Sequence, residues 1–128
     1  MDREKLLDLY KKYDLEKTDV FKHQHYVIIT RQGIEKIAAK ENITINYEVV
    51  KCEPNFAVVK ANAKKEGVEI QTFGSALKGA NYKDGNCNSW YVMEMAEKRS
   101  LSRSVLKLTG FYELGVFGED ESDDFKRK

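Results

Sequence analysis

Arg99, Arg103 and Lys107 follow one another at intervals of four residues, a spacing that puts three cationic heads on one face of a helix with a total rise of about 12 Å. Charges so arranged meet the phosphates of an extended single strand. Lys98 and Ser102 flank this ladder, and Ala96, Ser100 and Ser104 run beside it, small enough for a backbone to approach. The competing reading is a solvated basic stripe with Glu94, Glu97 and Glu113 as ion-pair partners. Aromatic residues are interleaved with the bases: Tyr47, Phe56, Phe73, Tyr82, Trp90 and Tyr91. An exposed ring stacks a base for about 1–3 kcal/mol, while a core claims most of the rings in a small domain.

Other chemistries find less support. His23-Gln24-His25 has no third ligand at a metal-binding spacing. Cys52 and Cys87 form no CxxC pair and read as two buried, reduced thiols. Neither makes a convincing nucleophile with His25, because nothing signals an oxyanion hole. The chain holds no GxxxxGK[ST] or GxGxxG loop, and carboxylates cluster only near the C-terminus. The expectation is a binding protein rather than an enzyme, with no cofactor and no metal.

These residues need a scaffold, and 128 residues supply one domain. At 41% hydrophobic and 34% charged, the chain has apolar material for a core. Its longest apolar runs, such as Tyr26-Val27-Ile28-Ile29, fall far below the roughly 20 residues that cross a bilayer, and no signal-peptide core follows the charged start. A cytoplasmic protein without a membrane partner is expected. The net charge is +1, but residues 1–118 carry 19 basic and 16 acidic side chains and the last ten carry 3 and 5. The run Glu119-Asp120-Glu121-Ser122-Asp123-Asp124 is too polar to bury anything. The expected organisation is a domain over 1–118 and a disordered acidic tail over 119–128. Such a tail would compete with DNA for a basic groove or dock a protein partner.

Leu6, Leu9, Tyr10 and Tyr13 recur at helical spacing, so the first 14 residues read as an amphipathic helix. A short strand, Tyr26–Ile29, precedes Thr30, which caps a helix carrying Ile34, Ile37 and Ala38. Ile43–Val49 alternates as a half-buried strand, and Glu53-Pro54-Asn55 turns the chain. The strand Phe56–Lys64 has a small face of Ala57, Val59, Ala61 and Ala63, and an opposite face of Phe56, Val58, Lys60, Asn62 and Lys64. Lys65-Glu66-Gly67 serves as a three-residue hairpin connection, after which Val68–Phe73 returns. A long loop over 74–88 leads to a helix from Ser89 to Gly110. Trp90, Leu101, Val105 and Leu108 lie on one side of that helix, and Val92, Met95 and Leu106 nearly opposite. It must be buried twice, once on the sheet and once on the N-terminal helix or a second subunit. The fold class is α+β: a three-stranded antiparallel meander plus a short first strand, packed by a long basic C-terminal helix, with an N-terminal amphipathic helix.

The order of these elements, with Met95-Ala96-Glu97-Lys98-Arg99, Leu101-Ser102-Arg103-Ser104-Val105 and Glu113-Leu114-Gly115-Val116-Phe117-Gly118-Glu119-Asp120, resembles the single-strand annealing proteins of the Rad-fifty-two type and their phage relatives. The likeness covers about residues 25–121. It implies homo-oligomeric rings or filaments with a positive groove for single-stranded DNA. It also implies annealing of complementary strands without ATP, in recombination or repair. On this match Arg103 takes the best-placed phosphate contact and Lys107 the next turn, while Ser102 replaces the first member of a basic pair. Arg99, Lys98 and Arg31, with Lys60 and Lys64 of the meander, complete the expected nucleic-acid contacts. Two alternatives remain at this point. One is a double-stranded RNA-binding module, whose helix, meander and basic helix follow the same layout. The other is a non-enzymatic protein-assembly domain.

Overall fold

Side chains no larger than Val along one face of a strand let a helix lie close against it. That face decides the centre of this molecule. In the computed structural model, which describes residues 3–23, 26–78 and 91–121, Ala57, Val59, Ala61 and Ala63 of β4 (Phe56–Lys65) are fully buried. β4 lies between β3 (Thr44–Glu53) and β5 (Val68–Leu77), antiparallel to both. The helix covering their shared inner face is α3 (Val92–Thr109), ended by Gly110 at a φ of 87°, the left-handed conformation that glycine adopts without strain.

The other side of α3 meets a second layer. There α1 (Arg3–Lys12), α2 (Arg31–Lys40) and a small sheet of β1 (Val20–His23), β2 (Tyr26–Ile29) and β6 (Val116–Gly118) share one core. It is built on Leu6, Tyr13, Val27, Ile29, Ile34, Ile37, Val105, Leu106 and Phe111. In that sheet β2 is central, antiparallel to β1 and parallel to β6, with Ile29 opposite Gly118. The expected α+β architecture is therefore present, and α3 is buried twice, its second side held within the same chain by the layer that includes the N-terminal helix. Thr30 caps α2 as its position suggests, its hydroxyl oxygen accepting from Gly33 N at 3.2 Å.

Several details differ from the sequence reading. β1 and β6 were not expected. The meander's second turn is the two-residue Glu66-Gly67, both at positive φ (46° and 84°), with Lys65 opposite Val68; this geometry matches the twist of the strands it joins. β5 runs four residues past Phe73 into the expected loop. Residues 79–90, which include Tyr82, Cys87, the proposed cap Ser89 and Trp90, lie outside the described residues. Cys52 is exposed rather than buried, on β3, which among the described residues pairs with β4 alone. Glu119–Glu121 form a 3-10 turn, so the structured part extends past Gly118; residues 122–128 lie outside the described residues. Among those described, no helix is long and apolar enough to cross a membrane.

Candidate nucleic-acid interface

The contact between α3 and β5 sets the position of every basic side chain on the helix. Gly74 makes the approach possible: a Cβ there would fall 2.6 Å from Ser100 N and 3.1 Å from Arg99 Cβ. Thr72 tightens the same contact, its hydroxyl donating to Ser100 O at 3.0 Å and sharing a 2.6 Å hydrogen bond with Ser104 Oγ. Both partners of that second bond are buried, so the pair is satisfied internally, as polar groups in a dry interface must be.

This close seat splits the ladder expected from the spacing of Arg99, Arg103 and Lys107. Arg99 is 4% exposed and belongs to the interface between helix and sheet. Its burial corrects the view of three equivalent heads on a solvated face, and the small residues at Ala96, Ser100 and Gly74 are the reason. One turn on, Arg103 is half-buried, and its Nη1 donates to the Phe73 carbonyl oxygen at 3.3 Å. Lys107, a turn further, is exposed, with Nζ 5.5 Å from the centre of the Tyr112 ring, within cation–π range.

Phe73 links this helix face to the far side of the sheet. Its ring, 49% exposed, lies on the face away from α3, directly across from Lys60. Lys60 in turn pairs with Glu48 of β3 at 3.8 Å. The next row along the same face is Gln71, Asn62 and Asn46, and the row after it Glu69, Lys64 and Thr44, where Lys64 pairs with Glu69 at 3.9 Å. Lys60 and Lys64 are thus separated from the α3 bases by the sheet itself. Arg103 reaches the main chain of Phe73, whose ring lies on that far face. Tyr47 and Tyr91 are also exposed, so these rings, with Phe73, are not spent on the core.

Arg31 and Lys98 form a third group. Arg31 opens α2, its Nε 3.6 Å from Glu35 and its main-chain N–H donating to Glu119 Oε1 at 3.2 Å. Lys98 stands one helical turn before Ser102, whose hydroxyl reaches Asp120 Oδ2 at 3.4 Å. Burial raises the Asp120 pKa above the ordinary carboxylate value, against the charges of Lys98 and Arg31, which favour ionisation.

The signals for Thr72, Gly74 and Ser104 were present in the sequence as small or hydroxylated residues, but their partnership depends on which strand α3 covers. Among the described residues no group of His, Cys, Asp and Glu is gathered as metal ligands would be; His25 lies outside them. Comparison of the chain with protein-family models, with curated proteins and with solved structures finds no match.

Proposed function

We propose that this protein binds single-stranded DNA without regard to sequence and anneals complementary strands without nucleotide or metal, as a homo-oligomer acting in recombination or repair in the cytoplasm. The observation that carries the reading is the meeting of Arg103 with Phe73. A guanidinium suited to a phosphate is held at the backbone of a residue whose exposed ring suits a base. Lys107 on the helix side and Lys60 on the sheet side extend that pair in both directions. Neutralised phosphates lower the repulsion between two strands, and contacts made to backbone and ring faces leave base edges free to pair. Assembly is supported by β3, an edge strand with Tyr47, Val49 and Val50 all exposed; edges of this kind pair with another chain unless blocked.

The double-stranded RNA-binding reading shares the order α2, β3, β4, β5, α3. Against it, the first turn of α3 presents Glu94 and the next presents Glu97, both exposed, where a helix entering an RNA groove needs positive charge.

The test is annealing of two labelled complementary oligonucleotides in EDTA without nucleotide. Acceleration by the protein, lost in the Arg103→Ala/Lys107→Ala variant, is the expected result. Arg99 is left intact because its burial makes it a folding residue. Binding without acceleration reduces the assignment to a single-strand-binding module, and a preference for duplex RNA overturns it.

A further inference from the structure

Two carboxylates of the chain already occupy a basic seat on its surface. Glu119 Oε1 accepts from the main-chain N–H of Arg31 at 3.2 Å, the first residue of α2, where the helix dipole and unsatisfied amides favour an anion. Asp120 Oδ2 accepts from Ser102 on α3 at 3.4 Å. Arg31 and Lys98 both act on the Asp120 carboxyl as favourable charges. The segment is held there by Gly118, whose Cα packs so closely on Ser102 that a Cβ would lie 2.6 Å from Ser102 Cβ, and by the pairing of β6 with β2 just before it. The arrangement is thus a fixed one, in which a donor from each of two helices holds one of two adjacent carboxylates. Glu35 also pairs with Arg31, at 3.6 Å.

We propose that Glu119 and Asp120 are a built-in competitor for the phosphodiester backbone at Arg31, Lys98 and Ser102. The inference rests on the DNA-binding reading above and concerns its regulation. A phosphate presents the same chemistry as these carboxylates: negative oxygens that accept from an amide N–H, a hydroxyl and an ammonium. A strand entering the seat must displace Glu119 and Asp120. Binding by the intact chain is therefore weaker than its basic residues permit. Once the carboxylates leave, Arg31 and Lys98 add to the phosphates neutralised.

The experiment compares the full chain with Glu119→Gln/Asp120→Asn, which preserves shape, and with a chain ending at Gly118, which keeps β6. Glu4→Gln/Asp8→Asn on the exposed side of α1 removes the same charge elsewhere. Anisotropy of a labelled thirty-nucleotide oligo-dT is followed against salt. The expected result is a several-fold gain in affinity for both tail variants, a smaller gain for the α1 control, and a steeper salt dependence from the added phosphate contacts. Lys98→Ala in the Gln/Asn background should cancel the gain. A gain no larger than that of the control overturns the proposal, because the effect is then net charge alone. A second arm uses pyrophosphate and the Arg31 amide resonance, without DNA. Saturation at several-fold lower pyrophosphate in Glu119→Gln/Asp120→Asn supports the competition, and equal titrations overturn it. That arm decides the inference even where no variant retains DNA, an outcome that removes the functional reading by itself.

Discussion

Arg103 Nη1 lies 3.3 Å from the carbonyl oxygen of Phe73, so a helix-borne guanidinium and a strand-borne aromatic residue are fixed to each other through the main chain. Arg103→Ala should weaken binding to every single-stranded sequence alike, by about fivefold or more, and lower the log–log salt slope by about 1. Anisotropy titrations at several salt concentrations, on oligo-dT and a mixed sequence, check both effects.

Phe73→Ala separates stacking from charge. Removal of a ring that contacts a base costs about 1–3 kcal/mol of binding. The salt slope should stay unchanged, and Phe73→Trp should restore affinity. Because the ring is exposed, the thermal midpoint of Phe73→Ala should stay close to that of the wild type. A loss of stability instead of affinity would make the residue structural.

Gly74→Ala should be among the most damaging single-methyl changes in the chain. The new Cβ meets backbone atoms of α3, Ser100 N among them at 2.6 Å, and neither a helix nor an edge strand moves aside cheaply. Overpacking of this kind costs about 3 kcal/mol, readable as a lowered midpoint in urea with an unchanged slope.

Asp19 is fully buried. Its Oδ2 accepts from Lys36 Nζ at 2.7 Å and from Glu16 N at 2.9 Å. Burial opposes ionisation, yet these two donors prevail and hold the carboxyl below its ordinary value of 3.8. A depressed carboxyl pKa stabilises the fold above the unfolded value, and the contribution is lost as pH falls through the folded one. Asp19→Asn should therefore cost about 2 kcal/mol at neutral pH and flatten the loss of stability below about pH 4, as measured by urea unfolding across that range.

Assembly through the β3 edge predicts a sedimenting mass well above 14.8 kDa at micromolar concentration. Val49→Lys/Val50→Glu places charge on the exposed edge without touching the core, and should return the mass to that of one chain. A wild-type protein that sediments as a single chain throughout would rule out the ring.

The meander and α2 were legible because their signals are local. Ile43–Val49 alternates, the Ala face of β4 repeats every second residue, and Thr30 stands where a cap belongs. β1 and β6 escaped because a four-residue and a three-residue strand carry too few alternations to stand out, and the pairing of β6 with β2 joins distant parts of the chain. The ladder was half legible. Its spacing is correct, but helical periodicity says which heads share a face and not what covers that face. The small residues at Ala96, Ser100 and Gly74 turned Arg99 inward. That the acidic run could compete with DNA was read from its charge, but its seat at Arg31 and Ser102 was not, since an acidic run looks alike whether solvated or bound.

The parallel pairing of β2 with β6 also sets the order in which the protein can be made. Ile28 and Ile29 are fully buried, but the strand that flanks them on one side, Val116–Gly118, leaves the ribosome after the meander and all three helices. Until then the nascent chain must carry Val27, Ile28 and Ile29 without their third strand, and without the α3 side chains Val105 and Leu106 that close the same core. The meander closes from neighbours in sequence, while this layer has a high contact order and must wait until residues 116–118 have emerged. The exposed apolar surface in that interval is the stage at which a chaperone, or aggregation, has its opportunity.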